Sequence, residues 1–472
     1  MIPEHLSYGG GVSSTVLNPV VAVVVLVAGM LMLLLPRKFM VAPLLTAALL
    51  IPMDQVIVVG SFHFQMLRVL ILFGWVRLIA AKISSRQRIF SGGINGIDWA
   101  VILWATITAV DVTLLWNDSG ALINQLGTLY TVFGIYFLLR FLVRNMEDVE
   151  LTLRVLACVA AVVAVVMTVE QATGRNPYAF LGGFRASLIG SLMERDDRFR
   201  AMASFSHPIL AGTFGATLLP LFLSLWFRGK KYRATAAVGM VAATVITIAS
   251  NSSTPLLAYL ATFLGMCFWP LRGKMSLIRW GLATALVVLH MAMKAPVWAL
   301  IARVDVISGS SSYHRYALVD GFIRHFGDWW FLGTTQNAQW GWDMWDLANQ
   351  YVAIGESSGL LPFIFFLAII VFAFKYVGRA RVSLKGDKQG QLFLWALGVT
   401  MFAHVVAFFG ISYFDQTIVS WYTFLAIVSA SVASLLQPAV AVPVHANASG
   451  NDLAYAGGPI SAHSDLMQVP QA

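Results

Sequence analysis

The sequence has few charged residues and far more apolar side chain than a soluble protein can hide. Only 11% of its 472 residues are charged, against about 25% in an average soluble domain. Hydrophobic residues make up 58% of the chain, too many for a soluble protein of this size to keep away from water. The composition excludes a soluble enzyme, a disordered protein and a nucleic-acid-binding domain, so no nucleic-acid partner is expected despite the net charge of +9.

Cysteines and catalytic motifs are also scarce. The two cysteines, Cys158 and Cys267, each lie inside an apolar run and predict neither a disulfide nor a metal site. The sequence contains no P-loop, no His-Glu-x-x-His and no Rossmann glycine pattern. It therefore predicts no nucleotide, no metal and no other cofactor.

Long apolar runs dominate what remains, each about 17–25 residues long, as needed to cross a bilayer. They lie near 18–35, 39–59, 62–81, 97–116, 121–139, 151–171, 206–227, 234–250, 254–270, 277–298, 350–374, 389–410 and 414–436. They predict an all-α polytopic membrane bundle of about 12–13 transmembrane helices over residues 1–437. Because prolines interrupt the first three runs, two of these could instead form a re-entrant pair. Residues 438–472, rich in Ala, Ser, Gly and Pro, predict a disordered tail.

The basic residues predict which loops face which side. Most clusters of lysine and arginine alternate with the apolar runs in a way that places them in the cytoplasm. Two longer loops, 172–205 and 299–349, then lie on the outer side of the membrane. These loops hold eight of the 22 arginines and none of the nine lysines. Since both residue types act alike in topology, and the arginine fork binds phosphate at two points, the bias predicts a phosphate or diphosphate site. Local ion pairs around Arg195 and Arg198 are the alternative.

The second loop is rich in aromatic residues and contains two histidines. Five of the 15 tryptophans, from Trp329 to Trp345, fall within 17 residues. They predict either an aromatic belt at the membrane surface or a lid that stacks on sugar rings, with Trp342 as a candidate. Residues 312–328 predict one surface helix with His314 and His325 on the same face. Hydrogen bonding or proton transfer fits this pair better than zinc binding, because no further ligand spacing lies nearby.

The first loop ends in a basic stretch that leads into a span. Arg198 and Arg200 precede His207-Pro208. Proline suits the first turn of a helix, which predicts a helix beginning at Pro208 with Ser206 as its cap.

Three stretches, taken in order, resemble the bacterial O-antigen ligase and O-antigen polymerase superfamily over about residues 190–375. The first runs from Arg200 to Ala211 and contains His207-Pro208. The second is the Ser250–Thr254 turn between two spans. The third runs from Ser310 through Arg315 and Trp329–Gly333 to Asp346–Tyr351 and Gly359. The chain departs from the family pattern at Ile209, at Ser357 and at Ala348, where the family has a histidine.

The resemblance implies a membrane glycosyltransferase that needs neither metal nor nucleotide. Members transfer a glycan from undecaprenyl diphosphate to an acceptor hydroxyl and hold the diphosphate with arginines at the outer face. The implied partners are the lipid-linked glycan, a glycan or lipid acceptor, and membrane lipid. Catalytic roles fall to Arg200, Arg315, His314, His325 and Asp346. Substrate-binding roles fall to Arg198, His207, Arg324, Trp342, Asn349 and Tyr351.

Two other functions remain open from the sequence. A lipid or oligosaccharide transporter or flippase would explain the many spans and the intramembrane residues Arg68 and Arg77, which could pair with Asp54 or Asp111. It would not explain two arginine-bearing loops on one side. A non-catalytic component of a polysaccharide export assembly is the third hypothesis, consistent with Ala348 in place of histidine.

Overall fold

The protein is described by a computed structural model covering residues 14–84, 89–182, 194–195, 198–303, 312–384 and 386–436. The predicted tail 438–472 lies outside these residues. Most of the described chain is helical, with only two short antiparallel hairpins. The all-α class predicted from the composition is therefore confirmed.

The helices follow one another along the chain with short connections. They are α1 (Pro19–Leu34), α2 (Val41–Leu50), α3 (Met66–Ser84), α4 (Gly96–Trp116), α5 (Ser119–Leu142), α6 (Met146–Thr173), α7 (Pro208–Arg228), α8 (Arg233–Ala249), α9 (Ser253–Cys267), α10 (Met275–Ala292), α11 (Ser312–Arg324), α12 (Phe326–Trp329), α13 (Gln350–Ser358), α14 (Leu360–Ser383), α15 (Lys388–Ala407) and α16 (Gln416–Leu436). The hairpins are β1 (Val56–Val59) with β2 (Phe62–Gln65), and β3 (Glu194–Arg195) with β4 (Arg198–Phe199).

Within the described ranges, nine helices are long and apolar enough to cross a membrane. They are α4, α5, α6, α7, α8, α10, α14, α15 and α16, while α1 and α9 are apolar but shorter. The protein is thus a multi-pass helical membrane protein by the length and composition of its helices. The bundle is built around α7, α15 and α16, whose residues are mostly buried, whereas α10 buries none of its residues.

The predicted span 39–59 is wrong. Helix α2 ends at Leu50 because Ile51 directly precedes Pro52, and the helical backbone conformation is disfavoured for a residue before proline; Ile51 is extended. The β-branched run Val56–Val59 then pairs with Phe62–Gln65 across a turn at Gly60, whose φ is +59°. The next predicted span, 62–81, accordingly begins as a strand, and its helix α3 starts only at Met66.

The predicted span 350–374 is broken into α13 and α14 at Gly359. This glycine has φ +86°, and a Cβ there would lie 2.4 Å from the carbonyl oxygen of Phe331. The backbone N–H of Leu360 donates to the carbonyl of Trp330 at 2.8 Å. The loop before α13 therefore packs against the break, and only glycine permits this close approach.

A buried ion pair that the sequence analysis did not predict joins two helices of the bundle. Arg140 on α5 forms a two-point ion pair with Asp98 on α4, with Nε–Oδ1 and Nη2–Oδ2 distances of 2.9 and 3.1 Å. Neither side chain is exposed, and the hydroxyl of Tyr136 also donates to Asp98. Arg140 thus joins α4 and α5, a contact that the sequence analysis did not predict.

Arg68 does not pair as proposed from the sequence. Its Nε donates to the hydroxyl of Thr131 at 3.1 Å and its Nη1 donates to the carbonyl of His63. Both partners are neutral, so Arg68 links α3 to α5 and to the β2 strand instead of balancing Asp54 or Asp111.

The sidedness of the loops can be tested with alkaline phosphatase fusions, which are active only in the periplasm. Fusions after Gly182 and Gly341, in the two arginine-bearing loops, are expected to be active because the alternation of the other basic clusters with the apolar runs places these loops on the outer side. A fusion after Gly386, in a lysine-bearing connection, is the control and should be inactive. An inactive but stable fusion at either of the first two positions would contradict the predicted topology.

Candidate functional site

Arg200 is buried at the turn between α8 and α9. The residue is only 8% exposed. Its Nη2 donates to the hydroxyl of Ser252 at 2.9 Å. Ser252 in turn donates to the carbonyl of Ser250 at 2.8 Å, and the backbone N–H of Ala201 donates to the carbonyl of Ala249. Two of the stretches that carry the family resemblance are therefore in direct contact.

The segment after Arg200 is held by the end of α6. The carboxylate of Glu170 accepts the backbone N–H groups of Met202 and Ala203 at 3.0 and 2.8 Å. The side-chain amide of Asn176 donates to the carbonyl of Ala203, whose φ is +51°. Sequence reasoning missed Glu170, although an acidic residue within an apolar run is a functional candidate by default.

The connection between α15 and α16, residues 408–415, joins several segments of this region; we call it the 408–415 loop. Its Gly410 carbonyl accepts a bond from the hydroxyl of Thr254 in the first turn of α9, directly after the α8–α9 turn. Its Phe409 carbonyl accepts from the side-chain amide of Asn349. The start of α9 and the start of α13 therefore meet the same loop.

The start of α16 continues these contacts toward the first loop. The side-chain amide of Gln416 donates to the carbonyls of Ser204 and Ile51 at 2.6 and 3.1 Å. The hydroxyl of Ser206 donates to the carboxylate of Asp415. These bonds fix the chain between Arg200 and α7 against the last helix.

Arg315 is the second buried arginine of the candidate site. It lies in the first turns of α11 and is 6% exposed, and α11 packs against α13. Since α13 begins at the 408–415 loop, the segments that carry Arg200 and Arg315 lie at the same end of the bundle. Their convergence on one diphosphate remains a prediction.

His207, and not Ser206, caps α7. Its Nδ1 accepts the backbone N–H of Ile209 at 3.1 Å, while Pro208 occupies the first helical position as predicted. Ser206 is unavailable as a cap because its hydroxyl binds Asp415. When neutral, His207 must carry its proton on Nε2.

Asn349 and Tyr351 fix the start of α13. The side chain of Asn349 is fully buried and accepts the backbone N–H groups of Tyr351 and Val352. The hydroxyl of Tyr351 donates to the carbonyl of Val405, and its ring lies 4.8 Å from that of Phe409. These contacts position the helix; the predicted binding roles of both residues remain predictions.

The predicted helix over 312–328 is interrupted at His325, so His314 and His325 contact different segments. The imidazole of His325 stacks on Trp340 at 5.4 Å, and its Nδ1 is bonded to the carbonyl of Gly321. The Nε2 of His314 is bonded to the backbone carbonyl of Asp346 at 3.0 Å. The single helix predicted over 312–328 is therefore wrong: it is two helices with His325 between them.

The loop 299–349 contains a cluster of potential metal-ligating side chains that the sequence analysis did not identify. His314, Asp343 and Asp346 each offer one ligand atom, and these three atoms lie within 4.8 Å of one another. The histidine comes from α11 and the aspartates from the loop before α13. The prediction that no such group occurs was wrong because it considered only spacing along the chain.

The tryptophans of this loop divide into two sets. Trp329 is buried and stacks on Phe322 with ring centroids 3.9 Å apart, so it belongs to the packing of the loop. Trp342 is 87% exposed, and Trp345 is exposed as well. Only the exposed set is available to a lipid or sugar ring.

Two of the predicted binding arginines lie at the surface. Arg198, on β4, is exposed. Arg324 forms an ion pair with Asp320 one turn earlier on α11, at 2.7 Å, and most of its side chain is exposed. Exposed pairs of this kind contribute little to stability, so Arg324 can exchange its partner for a phosphate at small cost.

Glu356 on the short helix α13 adds a titratable group near the break at Gly359. Burial raises the pKa of this carboxyl to about 8. It therefore carries a proton at neutral pH and is suited to donate a hydrogen bond.

No model of a known protein family matches this chain, and no curated protein matches its sequence. The arrangement itself provides two buried guanidinium groups, a histidine at the start of α7, and a half-buried histidine beside two carboxylates. Such a set can bind a polyanion and accept or donate a proton.

Proposed function

We propose that this protein is a membrane glycosyltransferase of the O-antigen ligase or polymerase type. It would transfer a glycan from undecaprenyl diphosphate to an acceptor hydroxyl at the periplasmic face of a bacterial inner membrane. The observation that carries the proposal is the burial of Arg200 and Arg315 on segments that meet at one end of the bundle. Arginines used only for topology or solubility would be exposed.

The chemistry follows from the charge on the leaving group. As the bond between the anomeric carbon and the phosphate oxygen breaks, negative charge accumulates on the diphosphate. Guanidinium groups held in a partly desolvated site stabilise that charge without reorganisation. The acceptor hydroxyl forms the new bond to the anomeric carbon, and its proton passes to a base, for which His314, His325 and Asp346 are the candidates.

A lipid-linked donor also fits an apolar groove between α6 and α8. Small and β-branched side chains line it, from Ala161 to Val169 on α6 and from Ala237 to Val245 on α8. Val245 is about one helical turn, or roughly 6 Å, from Ala249, whose carbonyl binds Ala201 beside Arg200. A polyprenyl chain in this groove would place its diphosphate near Arg200.

The proposal is tested by deleting the gene and analysing both the surface polysaccharide and the lipid-linked glycan. We expect the donor to accumulate with its glycan in the periplasmic leaflet, because its transfer is lost. Complementation with the wild-type gene should restore transfer. A donor trapped in the cytoplasmic leaflet would instead support a flippase, and an unchanged glycan profile would contradict the proposed reaction.

A further inference from the structure

We propose that His314, Asp343 and Asp346 bind a divalent transition-metal ion of the zinc class. The ion would join the first turn of α11 to the loop that precedes α13. The inference does not rest on the proposed glycosyl transfer; with the ion bound, His314 and Asp346 are ligands, and His325 is then the candidate base for that reaction.

The spacing of the ligand atoms is close to that of a bound site. Zinc ligands lie about 2.0–2.2 Å from the metal, so neighbouring ligand atoms are roughly 3–4 Å apart. The three atoms here already lie within 4.8 Å of one another. Small side-chain rotations bring them onto one ion without a change in the backbone.

The charges of the cluster favour a cation. Two carboxylates are held close together, and among the described residues neither carboxylate forms an ion pair or accepts a hydrogen bond. Bringing like charges together is unfavourable unless a positive charge lies between them. A divalent ion bound by both aspartates removes this repulsion.

The hydrogen bond of His314 fixes the imidazole in the way that is usual for a metal-binding histidine. A carbonyl oxygen can only accept, so the bond between His314 Nε2 and the Asp346 carbonyl puts the proton of the neutral ring on Nε2. The lone pair of Nδ1 is then available. Metal-binding histidines commonly donate their other N–H to a backbone carbonyl in this way.

The donor set selects the class of metal. One imidazole nitrogen with two carboxylate oxygens suits zinc and its neighbours. Calcium takes six to eight oxygen ligands, about twice as many as this cluster offers. The ion would also fix the backbone next to Arg315, since His314 is the preceding residue.

The test measures zinc binding to the purified full chain in detergent, stripped of metal with EDTA and then dialysed. Equilibrium dialysis against Zn²⁺ should give one ion per chain. His314→Ala and Asp343→Asn should each weaken binding by about 100-fold or more, above the 10- to 100-fold typical of outer-shell changes. Asp118→Asn, which alters an exposed acidic residue elsewhere in the chain, is the matched control and should bind as the wild type does.

His314→Cys distinguishes the loss of a ligand from misfolding, because cysteine restores a zinc ligand at the same position. This variant should recover binding that His314→Ala lacks. The proposal is overturned if the wild type binds no stoichiometric zinc, if His314→Ala binds as tightly as the wild type, or if millimolar Ca²⁺ displaces the zinc.

Discussion

Arg200→Lys and Arg315→Lys are each expected to slow glycan transfer about 10- to 100-fold. Lysine keeps the positive charge but cannot hold two phosphate oxygens at once as the planar guanidinium does. At position 200 it also loses the geometry of the Nη2 bond to Ser252. Initial rates measured on purified protein with a lipid-linked donor and an acceptor give the effect directly, and membrane insertion should be unchanged.

Arg175→Lys is the matched control for both substitutions. Arg175 lies in the same first loop but is exposed, so its replacement should leave the rate within about twofold of the wild type, as is usual for surface changes. The shared diphosphate site is refuted if the Arg200 and Arg315 variants keep wild-type rates. Guanidinium groups more than about 15 Å apart in a substrate complex would refute it as well, since side chains shift only by several ångströms on binding.

Arg140→Met is expected to destabilise the folded protein by about 3–5 kcal/mol. The substitution leaves the Asp98 carboxylate fully buried without its cation, because neither side chain of this ion pair is exposed. An uncompensated charge in the interior costs far more than the pair contributes as a whole. The free energy of unfolding, measured by denaturant titration in mixed micelles, should show the loss.

Arg228→Met provides the comparison within the same chain. Arg228 pairs with Glu150 at 2.6 Å, but its side chain is 27% exposed and that of Glu150 14%. Water screens this pair, so we expect a loss of about 1 kcal/mol or less. Adding Asp98→Asn to Arg140→Met should recover part of the stability, since the buried charge is gone. Equal losses for Arg140→Met and Arg228→Met would show that burial does not set the cost.

The long apolar helices were predictable because a single local signal defines each one. The run 97–116 corresponds to Gly96–Trp116, where the side chain of Asn95 caps the helix and Asp98 bonds back to the cap. The prediction failed where contacts from other segments decide the structure. The segment Val56–Val59 is as apolar as the runs that form helices, but it pairs with a neighbouring strand. The break at Gly359 depends on the approach of Phe331, which no helical pattern reveals.

The candidate site was predictable in its residue types but not in its contacts. The arginine bias of the two loops, together with the family resemblance, pointed to Arg200 and Arg315, whereas their burial depends on helix ends that are distant in sequence. Glu170 and Ser252 position Arg200 through bonds of this kind. The cluster of His314 with two aspartates escaped prediction for the same reason, because its members come from separate segments.

The 408–415 loop and the start of α16 determine when this region can form during synthesis. Gln416 bonds to Ser204 and Ile51, and Asp415 bonds to Ser206. All three partners are translated long before α16, which is the last described helix. The ribosome must therefore translate the start of α16 before the segment that follows Arg200 can make these contacts. Nascent chains that stop short of α16 would be inserted yet lack this region, which makes them natural substrates for membrane quality control.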